Sequence, residues 1–193
     1  MKRILITGIN GFVGTNFTNN WSKNHKLFGL DISQPEKEGV ERTFGWDNLG
    51  KLPPVDAIVH LAGKAHDTKN QSVAQSYFDI NTGLTQRIFD FFMKSGANKF
   101  VFFSSVKAAA DSVPGDVLTE DVVPAPVGPY GESKIRAEEY ILNYMKRDPR
   151  AKEKNIYILR PCMIHGPGNK GNLNLLYSVV SKGIPWPLGA YEN

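Results

Sequence analysis

The strongest constraint on the fold lies within the first fourteen residues. A short β-branched apolar run, Arg3-Ile-Leu-Ile-Thr7, leads directly into Gly8-Ile-Asn10-Gly11-Phe12-Val13-Gly14, and an amphipathic pattern with Val13, Phe17 and Trp21 four residues apart follows. A strand that ends in glycines at i, i+3 and i+6 and then enters a helix can turn tightly at the first glycine. It can bring its backbone close to a phosphate at the second and pack helix on strand at the third. The helix N-terminus adds oriented N–H groups and partial positive charge. With 18 glycines among 193 residues the spacing alone arises by chance about 0.16 times per chain, so its place between strand and helix carries the information.

Four further apolar runs resemble the first: Lys26 to Asp31, Asp56 to Leu61, Lys99 to Phe103 and Ile156 to Leu159. Near-continuous apolar strands of this kind suit a sheet covered on both faces. Helical patterns lie between them: Val73 to Lys94, ending at Gly96, and Tyr130 to Lys146, ending before Asp148-Pro149. Strand alternating with helix predicts an α/β fold, a doubly wound parallel sheet. The longest loop falls at Val113 to Pro129, and a long loop in a compact domain is usually functional or mobile.

Asp31 ends the second run, 23 residues after Gly8. A carboxylate there can accept from both hydroxyls of an adenosine ribose and would repel a 2′-phosphate, which predicts NAD rather than NADP as the ligand of the glycine loop. The alternative is a structural turn with Asp31 capping a loop.

Tyr130-Gly-Glu-Ser-Lys134 opens the last long helix, and the four-residue spacing puts phenol and ammonium on one face. The ammonium would favour phenolate and bring Tyr130 towards working pH, so that it can exchange a proton with an alcohol. Ser104 and Ser105 end the preceding strand, where the ligand crevice of an open α/β sheet lies. One of them can hold the same substrate oxygen as Tyr130, while the other satisfies backbone groups at the strand end.

Composition excludes other classes. With 41% hydrophobic and 22% charged residues the chain is neither disordered nor fibrous, and 193 residues allow one sizeable core. The formal charge is +4 without a run of five like charges. The basic cluster Lys146, Arg147, Arg150, Lys152 and Lys154 is interrupted by Asp148 and Glu153, so it reads as a solvated helix end rather than a nucleic-acid site. No apolar run approaches the ~20 residues of a membrane span. One cysteine, Cys162, and no signal-peptide pattern predict a reducing cytoplasmic setting. His25, His60, His66 and His165 show no metal-ligand spacing, so no metal is expected.

Taken in order, Thr7-Gly-x-x-Gly-Phe-x-Gly14, Asp56-Ala-Ile-Val-His-Leu-Ala62, Asn81-Thr-Gly, Phe102-Phe-Ser-Ser105, Pro129-Tyr-Gly-x-Ser-Lys134 and Leu159-Arg-Pro161 resemble the extended short-chain dehydrogenases, the NAD-dependent nucleotide-sugar epimerase/dehydratase family. The resemblance implies a Rossmann-like NAD(P)-binding fold. It casts Tyr130 as the catalytic acid/base, Lys134 as its ribose-binding partner and Ser105 as the substrate-binding hydroxyl. Gly8, Asn10, Gly11, Phe12, Val13, Asp31, Ile32, Leu61, Ala62, Gly63, Asn81 and Pro161 would line the cofactor, together with Tyr130 and Lys134.

A narrower similarity lies in Ser104-Ser-Val-Lys107, Thr119-Glu-Asp, Pro124-Ala-Pro, Gly171-Asn172 and Gly183-Ile-Pro-Trp-Pro-Leu-Gly189. It points to the reductases and epimerases of UDP-linked N-acetylated or 6-deoxy hexoses, with Asn172 holding the diphosphate. Ala108-Ala-Ala and His165 depart from that pattern. His66 either touches substrate or is an exposed loop histidine.

The implied reaction is hydride transfer at C4 of a UDP-linked hexose or N-acetylhexosamine, as epimerase or reductase, in polysaccharide precursor synthesis. A 4,6-dehydratase ranks lower because Val106-Lys107 lacks an acidic pair, and a non-catalytic NAD-binding redox sensor is the reading from another class. The family also implies a homodimer through the two long helices. By the same resemblance, residues 1–171 are the dinucleotide domain and 172–193 the beginning of a truncated substrate-binding portion. Such a chain is expected to bind NAD and to be a poor catalyst.

Overall fold

The computed structural model describes residues 1–65, 73–113, 115–169 and 172–183, the side chains of residues 172, 173 and 175 excepted. Six strands run in parallel: β1 Arg3–Thr7, β2 Lys26–Leu30, β3 Arg42–Phe44, β4 Ala57–His60, β5 Lys99–Phe103 and β6 Asn155–Leu159. Their order in the sheet is β3-β2-β1-β4-β5-β6, so the direction of winding reverses between β1 and β4. The helices are α1 Phe12–Trp21, α2 Ala74–Tyr77, α3 Leu84–Lys94, α4 Gly128–Arg147 and α5 Asn172–Ser181. The chain divides into a unit Met1–Cys162, which holds the sheet, and a unit Met163–Asn193, which holds α5.

Alternation along the strands builds two cores, one on each face. Leu5, Ile58, Phe100 and Phe102 join Ile88, Phe89 and Phe92 of α3 and Ala137 and Ile141 of α4 on one side. Ile4, Ile6, Leu27 and Val59 face the other, where Phe17 of α1 packs. Phe89 meets Phe100 edge-on at 5.2 Å, and burying these rings supplies much of the driving force for this layer.

Three expectations need correction. The five-run reading missed β3, whose three residues are too short to show a period and begin with exposed Arg42. Double coverage does not extend to β6: as the edge strand it leaves Tyr157 and Leu159 exposed at 46% and 42%. The Val73 to Lys94 helix is also not uniform, because a π-helical turn, Phe78–Gly83, separates α2 from α3. Such turns concentrate at functional sites. The long loop is anchored at one point by a bridge between Ala110 and Ala125.

Candidate active site

The carboxyl ends of β1 and β4 open the crevice. Gly8 has φ +68°, and a Cβ there would stand 2.8 Å from both Cα and N of Ala62 in the turn after β4. Only glycine satisfies both the backbone angle and this approach. A Cβ at Gly14 would lie 2.5 Å from the Gly8 carbonyl, so the helix packs on the loop as its spacing predicts. Gly11 precedes α1 without any side-chain cap, which leaves the first-turn N–H groups of Phe12 and Val13 without an intrahelical partner.

Asp31 follows β2 and bridges this loop. Its Oδ2 accepts from Asn10 N at 3.0 Å and its Oδ1 from Ile32 N at 2.7 Å; Asn10 Nδ2 donates to the Ser33 carbonyl. Each carboxylate oxygen keeps a lone pair, and Ile32 beside it is 87% exposed. Lys37 was missed by the sequence reading. Its ammonium donates to the Ile9 carbonyl at 2.6 Å and to Thr15 Oγ1 at 2.9 Å, tying the glycine loop to α1. Burial lowers its pKa, and Asp31 opposes that shift.

The catalytic candidates meet between β5 and α4. Pro129 starts α4 and places Tyr130 and Lys134 one turn apart. Ser104 and Ser105 are buried. Ser105 Oγ accepts from Lys107 N at 3.2 Å, and the Ser105 hydroxyl acts to lower the Tyr130 pKa. Ser104 instead donates to Glu138, so the strand-end pair divides as expected, but the partner is a carboxylate rather than backbone. Lys134 Nζ donates to the Phe103 carbonyl at 2.9 Å and lies 5.0 Å from the Phe102 ring centroid. Burial pulls Lys134 down to about 8, with Glu138 opposing.

Burial pushes Tyr130 up. Ser105 pulls it back, and Tyr77, edge-on at 6.4 Å, adds to the rise. The expected lowering of Tyr130 by Lys134 is therefore reversed: desolvation dominates, and the ammonium is engaged by a backbone carbonyl.

Leu61, Ala62 and Gly63 form the turn after β4. A Cβ at Gly63 would stand 3.0 Å from Asn81 Oδ1 and 3.2 Å from Lys134 Nζ, so this turn abuts the Lys134 side chain. Asn81, fully buried, binds Lys64 through both its N–H and its carbonyl. Pro161 follows β6 and accepts from Val106 N at 3.1 Å, just beyond Ser105. A second element absent from the sequence reading is the ion pair of Arg160 with Glu138, at 2.6 Å and 1% exposure of the Glu138 side chain. His66 and the side chain of Asn172 lie outside the described residues. Among the described residues there is no cluster of three metal-ligating side chains, and no helix is long and apolar enough to cross a membrane.

The comparisons with known proteins agree with this geometry. A UDP-glucose 4-epimerase of Vibrio cholerae is 32% identical over 208 residues, an alignment covering 98% of this chain and 60% of that protein. An N-acetyl-alpha-D-glucosaminyl-diphospho-ditrans,octacis-undecaprenol 4-epimerase of Escherichia coli O157:H7 is 28% identical, covering 98% and 57%. The chain thus spans about three fifths of the length of these curated relatives. Among solved structures, MoeE5 in complex with UDP-glucose and NAD superimposes with a TM-score of 0.77 at 25% identity, covering 95% of this chain and 62% of that one. The UDP-N-acetylglucosamine 4-epimerase from Bacillus cereus gives 0.76 at 24%, covering 95% and 63%, a likeness of fold. Residues 4–184 match the family profile throughout, and with the glycine loop, the winding reversal and the Tyr130–Lys134 helix in place, the chain belongs to the NAD dependent epimerase/dehydratase family.

Proposed function

We propose that this chain binds NAD in the crevice between β1 and β4 and forms the cofactor half of an enzyme that moves a hydride at C4 of a UDP-linked hexose or N-acetylhexosamine. The cradle fits the group. Gly8 and Gly14 leave no room for a side chain, the N-terminus of α1 is uncapped, and both oxygens of Asp31 keep a free lone pair for ribose hydroxyls. Phe12 and Val13 would present N–H groups to the pyrophosphate, Ile32 would cover the adenine edge, and Leu61, Ala62, Gly63, Asn81 and Pro161 would border the rest.

The observation that carries the reading is the placement of Tyr130 one turn ahead of the buried Lys134 on α4, with the buried Ser105 just past the end of β5. Bound nicotinamide supplies the hydride acceptor and donor. Tyr130 takes the proton of the C4 hydroxyl when that carbon is oxidised and returns it on reduction, while Ser105 holds the same oxygen by a hydrogen bond. Only the phenolate of Tyr130 can take that proton; burial opposes this form, the Ser105 hydroxyl and the Lys134 cation favour it, and the phenol it becomes gives the proton back to the keto oxygen. Lys134, lowered to about 8, places a cation beside that phenol and a donor towards a ribose. Retention of the 4-keto sugar with both hydride directions makes an epimerase, and external NADH makes a reductase. The relatives named above are 4-epimerases, which favours the first. A dimer through α3 and α4, which Tyr140 and Asp90 link at 2.6 Å, belongs to the same reading.

Product analysis by NMR after incubation of the complete enzyme with NAD and a panel of UDP-sugars tests it. Tyr130→Phe should reduce C4 turnover about 10²-fold or more while NAD still binds. Turnover equal to that of the unaltered protein would overturn the assignment of Tyr130.

A further inference from the structure

His60, the last residue of β4, is completely buried, and none of the steps above uses it. Its ring stacks on Phe102 at 5.5 Å and places each nitrogen against a threonine: Nδ1 is 2.6 Å from Thr7 Oγ1 and Nε2 is 2.8 Å from Thr85 Oγ1. The proton positions follow by elimination. Thr85 Oγ1 donates to the Asn81 carbonyl at 2.6 Å, so it has no second proton and must accept from Nε2–H. In a neutral ring Nδ1 is then the acceptor, and Thr7 donates to it while accepting from Ala62 N at 3.0 Å. Burial, reinforced by the Lys134 charge, keeps the ring neutral, lowering it to about 3.

The chain continues through the side chain of Asn81. Its Nδ2 donates to Ser133 Oγ at 2.9 Å, and Ser133 Oγ donates to the Tyr130 carbonyl at 2.8 Å. The same amide grips Lys64 in the turn after β4, and Thr82 Oγ1 donates to the Ser133 carbonyl at 2.8 Å. The donors thus run in one sense from Ala62, against which Gly8 packs, to the backbone of Tyr130. The π-helical turn sets Asn81 in this chain, with Thr85 just beyond it in α3.

We propose that His60, neutral with its hydrogen on Nε2, is a positioning residue that holds the glycine loop and the Tyr130–Lys134 helix in one register for the dinucleotide. This rests on the cofactor reading above. The sequence places His60 in the Asp56-to-Ala62 signature but gives it no partner. The assignment comes from two threonines 53 and 25 residues away, one of which has its own proton committed elsewhere.

The test combines ¹⁵N imidazole NMR of the protein with NAD dissociation constants for Thr85→Val, His60→Phe and His60→Gln, each checked by thermal melting. The expected spectrum shows a neutral ring at His60 with hydrogen on Nε2 between pH 6 and 8. Thr85→Val keeps the side-chain shape but leaves Nε2–H unpaired, and should weaken NAD binding about tenfold. His60→Phe should do at least as much, and His60→Gln, which retains one donor and one acceptor, should recover most of the loss. Hydrogen on Nδ1, or wild-type NAD affinity in both Thr85→Val and His60→Phe, would overturn the proposal. Absence of NAD binding by the unaltered protein would overturn the cofactor reading itself, together with what rests on it.

Discussion

Thr7 Oγ1 and His60 Nδ1 stand 2.6 Å apart across the boundary where the sheet reverses its winding, joining the last residue of β1 to the last residue of β4. Both flank the turns that shape the crevice, so a buried histidine that must stay neutral sits under the candidate cofactor site.

Stability should therefore respond to mild acid. The folded protein holds His60 near pKa 3, whereas the unfolded chain takes up its proton as pH falls through 6.5. The contribution is fully present above pH 6.5 and is lost progressively as pH drops towards 3. Between pH 7 and pH 5 the loss is about 2 kcal/mol, or about 4–8 °C in Tm for a chain of this size. Melting curves of the unaltered protein and of His60→Gln across this interval check it, and parallel pH dependences would refute it.

Gly8→Ala should destabilise the protein by about 2 kcal/mol or more, because φ +68° strains an alanine and its Cβ would meet Ala62 backbone at 2.8 Å. Urea unfolding measures the loss, and NAD affinity should fall with it. Gly50, where a Cβ would meet nothing within 4 Å, provides the control: Gly50→Ala should change stability by less than about 1 kcal/mol.

Removing the Glu138 charge should affect both stability and the titration of Lys134. Glu138→Gln leaves Arg160 without its carboxylate, and because the Arg160 side chain is 27% exposed the cost is about 2–3 kcal/mol rather than the full penalty of a buried orphan charge. It also takes away the group that holds the Lys134 pKa up, so Lys134 should titrate below about 8. Lysine ¹³Cε NMR against pH reads this directly, and an unchanged Lys134 titration would count against the coupling.

Lys37→Met should loosen the glycine loop without touching the crevice floor. Both bonds of the ammonium, 2.6 Å to the Ile9 carbonyl and 2.9 Å to Thr15 Oγ1, are lost, at a cost of about 1–2 kcal/mol. Calorimetric titration with NAD should show several-fold weaker binding, and wild-type affinity would contradict the tether.

Local pattern determined much of this protein. Gly8, Gly11 and Gly14 fall between a strand and a helix, Asp31 falls after the next strand, and Tyr130 and Lys134 fall on the first turns of α4, each requirement being met within a span of a few residues. A parallel, doubly wound sheet was legible in the same way, because runs such as Ile4-Leu-Ile6 and Phe100-Val-Phe102 serve a core on each face.

What only the tertiary structure decided depends on residues far apart in the chain. β3 exists because Arg42–Phe44 can add to the open edge of β2, not because three residues prefer a strand. The direction of the Tyr130 shift follows from burial, with a smaller push from Tyr77, rather than from the lysine four residues on. The chain from Thr7 through His60, Thr85, Asn81 and Ser133, and the Ser104–Glu138–Arg160 network, join side chains from different strands and helices. A spacing rule reaches about one helical turn; the partners of a buried polar group are set by which elements the sheet brings side by side.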